Sequence, residues 1–444
     1  MSTTNSQYLS SLQFVNQRSL SKELFDITNE DGTFVDMLEA MGRYEVTAQP
    51  FYRNFINLPL FQVETINGTP TDNGSGLDFD IVLTAADGTS SLRPGHLVLC
   101  ANRAVGLVTS VTADAAGDQI NIVSVDSTAL GLADTQKLSV VGDASGEGSV
   151  GPVAFRNGVS SYENKIQIMK EAYEIEDIAA GSQIEFEFNG QPYYFLKGSH
   201  DALMKFKHLI AFNMITSRMS TTSFGDASPS LTDAQGKAIQ TTMGLDQYVT
   251  TYGINDPSVT VNTAYFASLK RDFVRNRCGN DYLLLAPTEW RIALTNMFTG
   301  LNSALSTNVR QNVSLTSLGQ TYDFDVTAFN FYGINYQIKE LKSLDHAEVF
   351  NFTGSAGYEK TAYFVPNDQI NVQGGGSKYR MGIRYMDLNV LPGQYGNGKI
   401  REIHTGGLAP TPTSDESVFR ITFEKRCGLD IYGPHHFAKG VIGS

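Results

Sequence analysis

Two glycine-rich stretches come closest to phosphate-binding chemistry. Gly146-Glu-Gly-Ser-Val-Gly151 has the spacing of a dinucleotide loop, which works only when a helix N-terminus follows and aims its N–H groups at phosphate. Pro152-Val-Ala-Phe155 follows instead, with no helical period, and Glu147 adds a repelling charge. Gly393-Gln-Tyr-Gly-Asn-Gly398-Lys399-Ile400 nearly fits a phosphate loop, but Ile400 replaces the hydroxyl that would hold Mg²⁺. The histidines, His96, His200, His208, His346, His404, His435 and His436, include no i, i+4 pair, and the cysteines form no C-x-x-C. Glu174 with Glu176, and Glu185 with Glu187, alternate as acids do on a solvated strand face. Cys278 follows a cationic helix end, where a thiol is not activated. Asn67, Asn73, Asn312 and Asn351 stand in glycosylation sequons that stay idle without secretion. No catalytic, cofactor-binding or metal-ligating residue is assigned, and no enzyme activity or cofactor is expected. The densest basic cluster is Lys270, Arg271, Arg275, Arg277 and Arg291. It reads either as a solvated helix face or, for Arg271, Arg275 and Arg277, as a subunit contact with acidic neighbours.

The composition narrows the classes. The chain has 444 residues, with 33 Lys plus Arg against 46 Asp plus Glu, a net charge of −13. Such an acidic chain is a poor nucleic-acid reader and a poor ligand for anionic membrane. Three distant cysteines, Cys100, Cys278 and Cys427, make neither a disulfide framework nor a zinc cluster. Met1–Gln7 has no signal-peptide character. No apolar run approaches the ~18 residues of a membrane span.

The elements that position these residues follow from periodicity. Residues 1–49 read as an arm with a short helix, in which Thr33 caps and Phe34, Met37, Leu38 and Met41 form one stripe. Gly42 stops it, and Phe51–Phe61 reads as extended. From Ile66 to Phe155 ten acidic residues face three basic ones, a net −7. Short β-branched runs there, at Phe79–Leu83, His96–Cys100, Gly106–Val111, Gln119–Val125 and Lys137–Val141, suggest a small β-barrel or sandwich. Extended chain returns at 156–180. Gly190–Pro192 reads as a turn, with Tyr193–Leu196 resuming a strand. Ser199 is expected to cap a long helix over 200–219, and residues 220–260 to form an exposed loop with one short helix. Asn262 caps a helix ending in arginines, with Gly279 as its stop. Tyr282–Ala286 reads as a buried strand, and Pro287 and Thr288 open a helix carrying Trp290, Leu294, Met297 and Phe298. The remainder is strand: Asp323–Phe331, Asn335–Leu341, Ala347–Phe352, Thr361–Val365, Met381–Leu391 and Val418–Tyr432. The fold class is α+β.

Four stretches carry a resemblance. They are Tyr162-Glu-Asn-Lys-Ile-Gln-Ile-Met-Lys-Glu-Ala-Tyr-Glu-Ile175, the helix from His200-Asp-Ala-Leu-Met-Lys-Phe-Lys-His-Leu-Ile210 to Met219, Tyr282-Leu-Leu-Leu-Ala-Pro-Thr-Glu-Trp-Arg-Ile-Ala-Leu294, and Thr361-Ala-Tyr-Phe-Val-Pro-Asn-Asp368. In that order they resemble the major capsid protein of tailed bacteriophages, the Hong Kong phage capsid fold. Members with an insertion in the extended loop, as in some gut phages of Bacteroidota, look most similar.

The resemblance implies an N-terminal arm (1–49), an extended loop (50–65 and 156–180) and an inserted β domain (66–155). It implies peripheral and axial domains (181–444) containing the spine helix 200–219. It implies hexamers and pentamers of this chain in an icosahedral virion shell assembled in the host cytoplasm. Scaffolding, portal and decoration partners, non-specific contact with packaged DNA and no membrane contact follow from it too. The acidic helical segment that some relatives carry before the arm is absent, and no cross-linking residue is carried over. The alternatives are another virion part, such as a tail or decoration protein, or a β-rich surface or carbohydrate-binding protein. The last wants exposed aromatics, and residues 66–155 contain only Phe79 and Phe155.

Overall fold

Val418–Ile431, a strand of 14 residues, organises the first of three large sheets among the described residues. In the computed structural model, residues 34–57, 63–85, 90–100, 102–148, 159–176, 187–188, 191–304, 328–345, 357–372, 376–387, 400–409 and 411–443 are described. One edge of the long strand is paired along Gln167–Glu176. Its other edge is shared end to end by Arg401–Thr405 and Met381–Met386. Tyr44–Thr47 then adds in parallel to Met381–Met386.

The helix Tyr193–Thr216 lies against Gln167–Glu176 and the long strand. Its 24 residues span about 36 Å. Phe206 stacks on Phe423 with ring centroids 6.4 Å apart, and Ile210, Met214 and Ile215 are buried beside it. Two expectations are corrected here. The helix starts at Tyr193 rather than after Ser199, so Tyr193–Leu196 is not a strand; it ends at Thr216, short of Met219. Pro192 directly precedes the first turn, where its fixed φ and missing N–H are harmless. Gly198 does not break the helix, because a Cβ there would sit 2.4 Å from the Tyr173 hydroxyl; glycine lets helix and strand approach. The short helix Phe34–Ala40 buries Phe34, Val35 and Leu38 against the long helix and Met381–Met386, and Gly42 ends it at φ +67°.

The second sheet runs Ile254–Val259, Ala438–Ile442, Thr361–Pro366, Asp281–Ala286, Ile334–Glu340 and Ala328–Phe331. Its central strands read as unbroken apolar runs because both faces are buried. Leu283, Leu285, Tyr363 and Val365 join the core of the first sheet. Tyr282, Leu284, Ala286, Ala362 and Phe364 face the other way, into a core built with helices Thr263–Arg275 and Thr288–Ala304. There Phe273 stacks on Tyr282 at 4.2 Å, and Trp290 donates its Nε1–H to the Lys360 carbonyl at 2.8 Å. Asn262 caps the first of these helices by accepting from Tyr265 N–H. Its end differs from expectation: Arg277, not Gly279, takes the left-handed conformation, at φ +55°.

The stretch 220–260 carries the expected loop, exposed over most of 225–239, and the expected short helix, Leu245–Tyr252. The additions are the strand Ile254–Val259 and the burial of 242–246. Thr242, Leu245 and Val249 are fully covered. The expected strand Ala347–Phe352 and the residues 323–327 and 388–391 of two others lie outside the described residues.

These elements belong to one compact unit, Met1–Asn54 with Tyr162–Ser444; Phe55–Ser161 forms a second. In the second unit the five expected strands appear as Asp78–Val82, His96–Leu99, Val105–Thr112, Gln119–Ser124 and Lys137–Asp143. Val63–Thr65 and Thr71–Asp72 complete the sheet. The sheet closes on itself: Ile66 bridges Leu83, and Asn67 N–H donates to Val82 O at 2.8 Å. The result is a barrel, filled by Ile81, Val98, Val108, Ile120, Ile122 and Leu138. Its first strand, Val63–Thr65, begins just before the expected 66, and the expected end at 155 lies outside the described residues.

Candidate functional site

The basic cluster sits on Thr263–Arg275, whose inner stripe of Tyr265, Phe266, Leu269 and Phe273 is anchored in the second core. Arg271 and Arg275 are exposed one turn apart, with Val274 between them 61% exposed. Arg275 pairs with Asp272 at 3.1 Å. Arg277 follows, exposed. Arg271 and Arg277 make no ion pair among the described residues. The other two cations of the cluster are engaged within the subunit: Lys270 Nζ donates to Asn280 Oδ1 at 3.1 Å, and Arg291 pairs with Glu340. The structure therefore separates the exposed arginines Arg271, Arg275 and Arg277 from Lys270 and Arg291, which the sequence had grouped with them.

A second arrangement was not anticipated. Strands Phe51–Asn57 and Val159–Lys165 pair with each other as a two-stranded ribbon. Its root is bound into the core by single polar side chains. Asn164, fully buried, donates to the carbonyls of Leu429 (2.7 Å) and Met243 (3.2 Å). Its Oδ1 accepts from the N–H groups of Lys165 and Met243, both at 2.7 Å. The buried Lys165 ammonium donates to the carbonyls of Ser220, Thr221 and Thr222, at 2.7, 3.3 and 3.1 Å. That bonding ties residues 220–222 to the root of the ribbon. Gln240 bridges the carbonyls of Pro50 and Ile166.

On the outgoing strand, Tyr52 donates to Leu429 O at 2.6 Å and Asn54 to Asp430 Oδ1 at 2.5 Å. Burial pushes the Asp430 carboxyl above the usual range, while Arg384 at 2.7 Å pulls it back toward the ionised form. Arg384 also pairs with Glu45 and lies over the Tyr52 ring at 4.5 Å. These groups hold chain in place; none is a nucleophile aimed at a cleft. In sequence the only trace was scattered Asn, Lys and Gln in otherwise strand-like stretches.

The remaining motifs do not converge. Gly146 and Gly148 lie at a turn, Gly151 and Gly393–Lys399 outside the described residues. His200 and His208 ride the long helix, while His435 and His436 share a short turn. Glu174 pairs with Arg420 at 2.9 Å. Burial pushes Cys278 up to about 11 and Cys427 up to about 12, which leaves both thiols protonated. Among the described residues no group of three His, Cys, Asp or Glu could hold a metal ion.

No family model matches this chain, and no curated protein does. Solved structures do. One from Microbacterium phage Oxtober96 is similar at 10% identity and a TM-score of 0.42, over 96% of each chain. The capsid structure of cyanophage P-SCSP1u is similar at 10% identity and a TM-score of 0.37, over 69% of this chain and 81% of that one. The holo-SrpI encapsulin complex from Synechococcus elongatus PCC 7942 is similar at 9% identity and a TM-score of 0.37, over 64% of this chain and 77% of that one. The structural neighbours are phage capsid structures and an encapsulin.

Proposed function

We propose that this chain is a shell-forming structural protein, the major capsid protein of a tailed bacteriophage, whose copies close into an icosahedral container for the genome. The ribbon Phe51–Asn57 with Val159–Lys165 carries the reading. A two-stranded ribbon is marginal in water on its own. This one exposes Phe55 at 68% and Phe51 at 40%, yet its root is fixed by Asn164, Lys165, Tyr52 and Asn54. A rigidly rooted ribbon with bare phenylalanines suits a partner that covers it, and in a shell that partner is the next copy.

The element order supports the same reading. Arm helix, ribbon, inserted barrel (66–155 within the extended loop), long spine helix and two sheets follow one another as the capsid fold requires. In the shell, Arg271, Arg275 and Arg277 form a contact with an acidic neighbouring copy. This offsets part of the self-repulsion of a chain with net charge −13 and fixes the register of contact. The acidic subunits repel packaged DNA, so contact with it is non-specific. Portal, scaffolding and decoration proteins complete the particle, which assembles in the host cytoplasm.

Sedimentation of the purified chain tests this. The native chain should run as particles far larger than a 48.5 kDa monomer. Arg271→Glu with Arg275→Glu should keep the native circular dichroism and lose the fast-sedimenting material at low ionic strength, where repulsion is least screened. A native chain that stays monomeric at all concentrations contradicts the shell. Normal particles from the double variant contradict the arginine contact alone.

A further inference from the structure

The barrel, whose described strands span 63–143, has two unlike outer sides. One is polar: Asp78 and Asp80 accept from Asn121 Nδ2, at 2.6 and 2.9 Å, and Asp80 also accepts from Asn73. The other is aliphatic. Residues opposite one another on paired strands share a face. Val63 lies opposite Ser139, Ser139 opposite Leu99, and Leu99 opposite Val105. In the next row Leu97 lies opposite Leu107. Val141 stands at the bulge between Leu97 and Val98, where the register shifts.

None of these side chains belongs to the barrel core, which their neighbours Val98, Val108 and Leu138 fill. Val63 is 54% exposed, Val141 55% and Leu99 37%. A core-facing and a solvent-facing side should alternate apolar with polar along such strands. Here Val63, Leu97, Leu99, Val105, Leu107 and Val141, on four adjacent strands, are apolar at positions outside the core, with the small polar Ser139 among them.

We infer that this aliphatic face is a contact surface for a second copy of the chain, an inference that rests on the shell reading above. Its size argues for that occupant. Six side chains fall well short of the roughly 20–30 residues a side of a stable two-body interface. Such a patch holds weakly between free molecules and works where other contacts already keep copies adjacent, as in a lattice. Its chemistry excludes the other occupants. It offers no aromatic ring for sugar stacking. It also sits on a segment of net charge −7, which anionic lipid and nucleic acid repel.

The test measures thiol accessibility on the full chain. Val63→Cys and Val141→Cys are compared with Ala115→Cys, an exposed turn position away from the patch. The unchanged chain sets the background, since Cys100 and Cys427 are buried. Maleimide labelling is followed before and after particles form, and particles are counted by light scattering. The expected result is particles in which Val63→Cys and Val141→Cys label about tenfold or more slowly than in free subunits, with Ala115→Cys unchanged. Particles with undiminished labelling at both positions overturn the contact and leave the shell standing. Absence of particles, with full labelling at every concentration, overturns both. Protection by anionic vesicles without particles also overturns the inference, in favour of a membrane surface.

Discussion

Asn164 satisfies buried backbone groups on three separate segments with one side chain. Its removal would strand the N–H groups of Lys165 and Met243 and weaken the bonding of two carbonyls. Each buried unsatisfied group costs about 1–3 kcal/mol, so Asn164→Ala should lower the unfolding free energy by about 2–4 kcal/mol. Denaturant titration measures this, and a change under about 0.5 kcal/mol would show that the root is held by other means.

His436 offers a different residue-scale test. It is buried, its Nδ1 meets no partner among the described residues, and Arg380 lies nearby. Burial first, and Arg380 second, push it down to about 3 from the ordinary 6.5. The unfolded chain therefore binds the proton first. The stabilisation is complete above pH 6.5 and is lost as pH falls toward 3. Between pH 7 and pH 4 the native chain should lose more stability than His436→Gln, by up to about 3 kcal/mol. Asp430, raised by burial, has the opposite slope in both proteins and cancels in the comparison. Parallel pH profiles would refute the assignment. Neither residue was legible in sequence. Asn164 bonds to groups 79 and 265 positions away, and local pattern carries no sign of partners so remote.

At the scale of elements, the long helix is the beam on which the first core is laid. Phe206 is 1% exposed and stacked on Phe423, and Ile210 lies one turn on. Proline at Phe206 deletes one helical bond, clashes with the preceding turn and removes the ring, a loss of about 3 kcal/mol or more. Phe206→Pro should give insoluble protein or a loss of helical circular dichroism; a soluble, native-like spectrum would refute the beam. The apolar stripe of Leu203, Phe206, Ile210 and Met214 made this helix visible in the sequence. Its start was not visible, because Gly198 mimics a breaker until Tyr173 is seen against it. The doubly buried strands Asp281–Ala286 and Thr361–Pro366 were legible as unbroken apolar runs. The exposed loop over most of 225–239 was legible from its Ser, Thr, Gly and Asp content. The burial of its ends at Ser220, Thr222 and Gln240 was not, because the groups that bond there, the ammonium of Lys165 and the amide of Gln240, are polar.

At the scale of the molecule, the charge break at residue 66 was legible because a separate core leaves its own composition behind. The two-sided exterior of the barrel was not, since it depends on the pairing of Val63 with Ser139 and Ser139 with Leu99 rather than on any run of residues. The exposed ribbon, the exposed arginines and the aliphatic barrel side all make sense for a chain that is finished only by its neighbours. Electron microscopy of the purified full-length chain, negatively stained after concentration, tests that claim most directly. Closed, uniform shells tens of nanometres across are the predicted result. Isolated monomers, open rings or tubes in their place would contradict it.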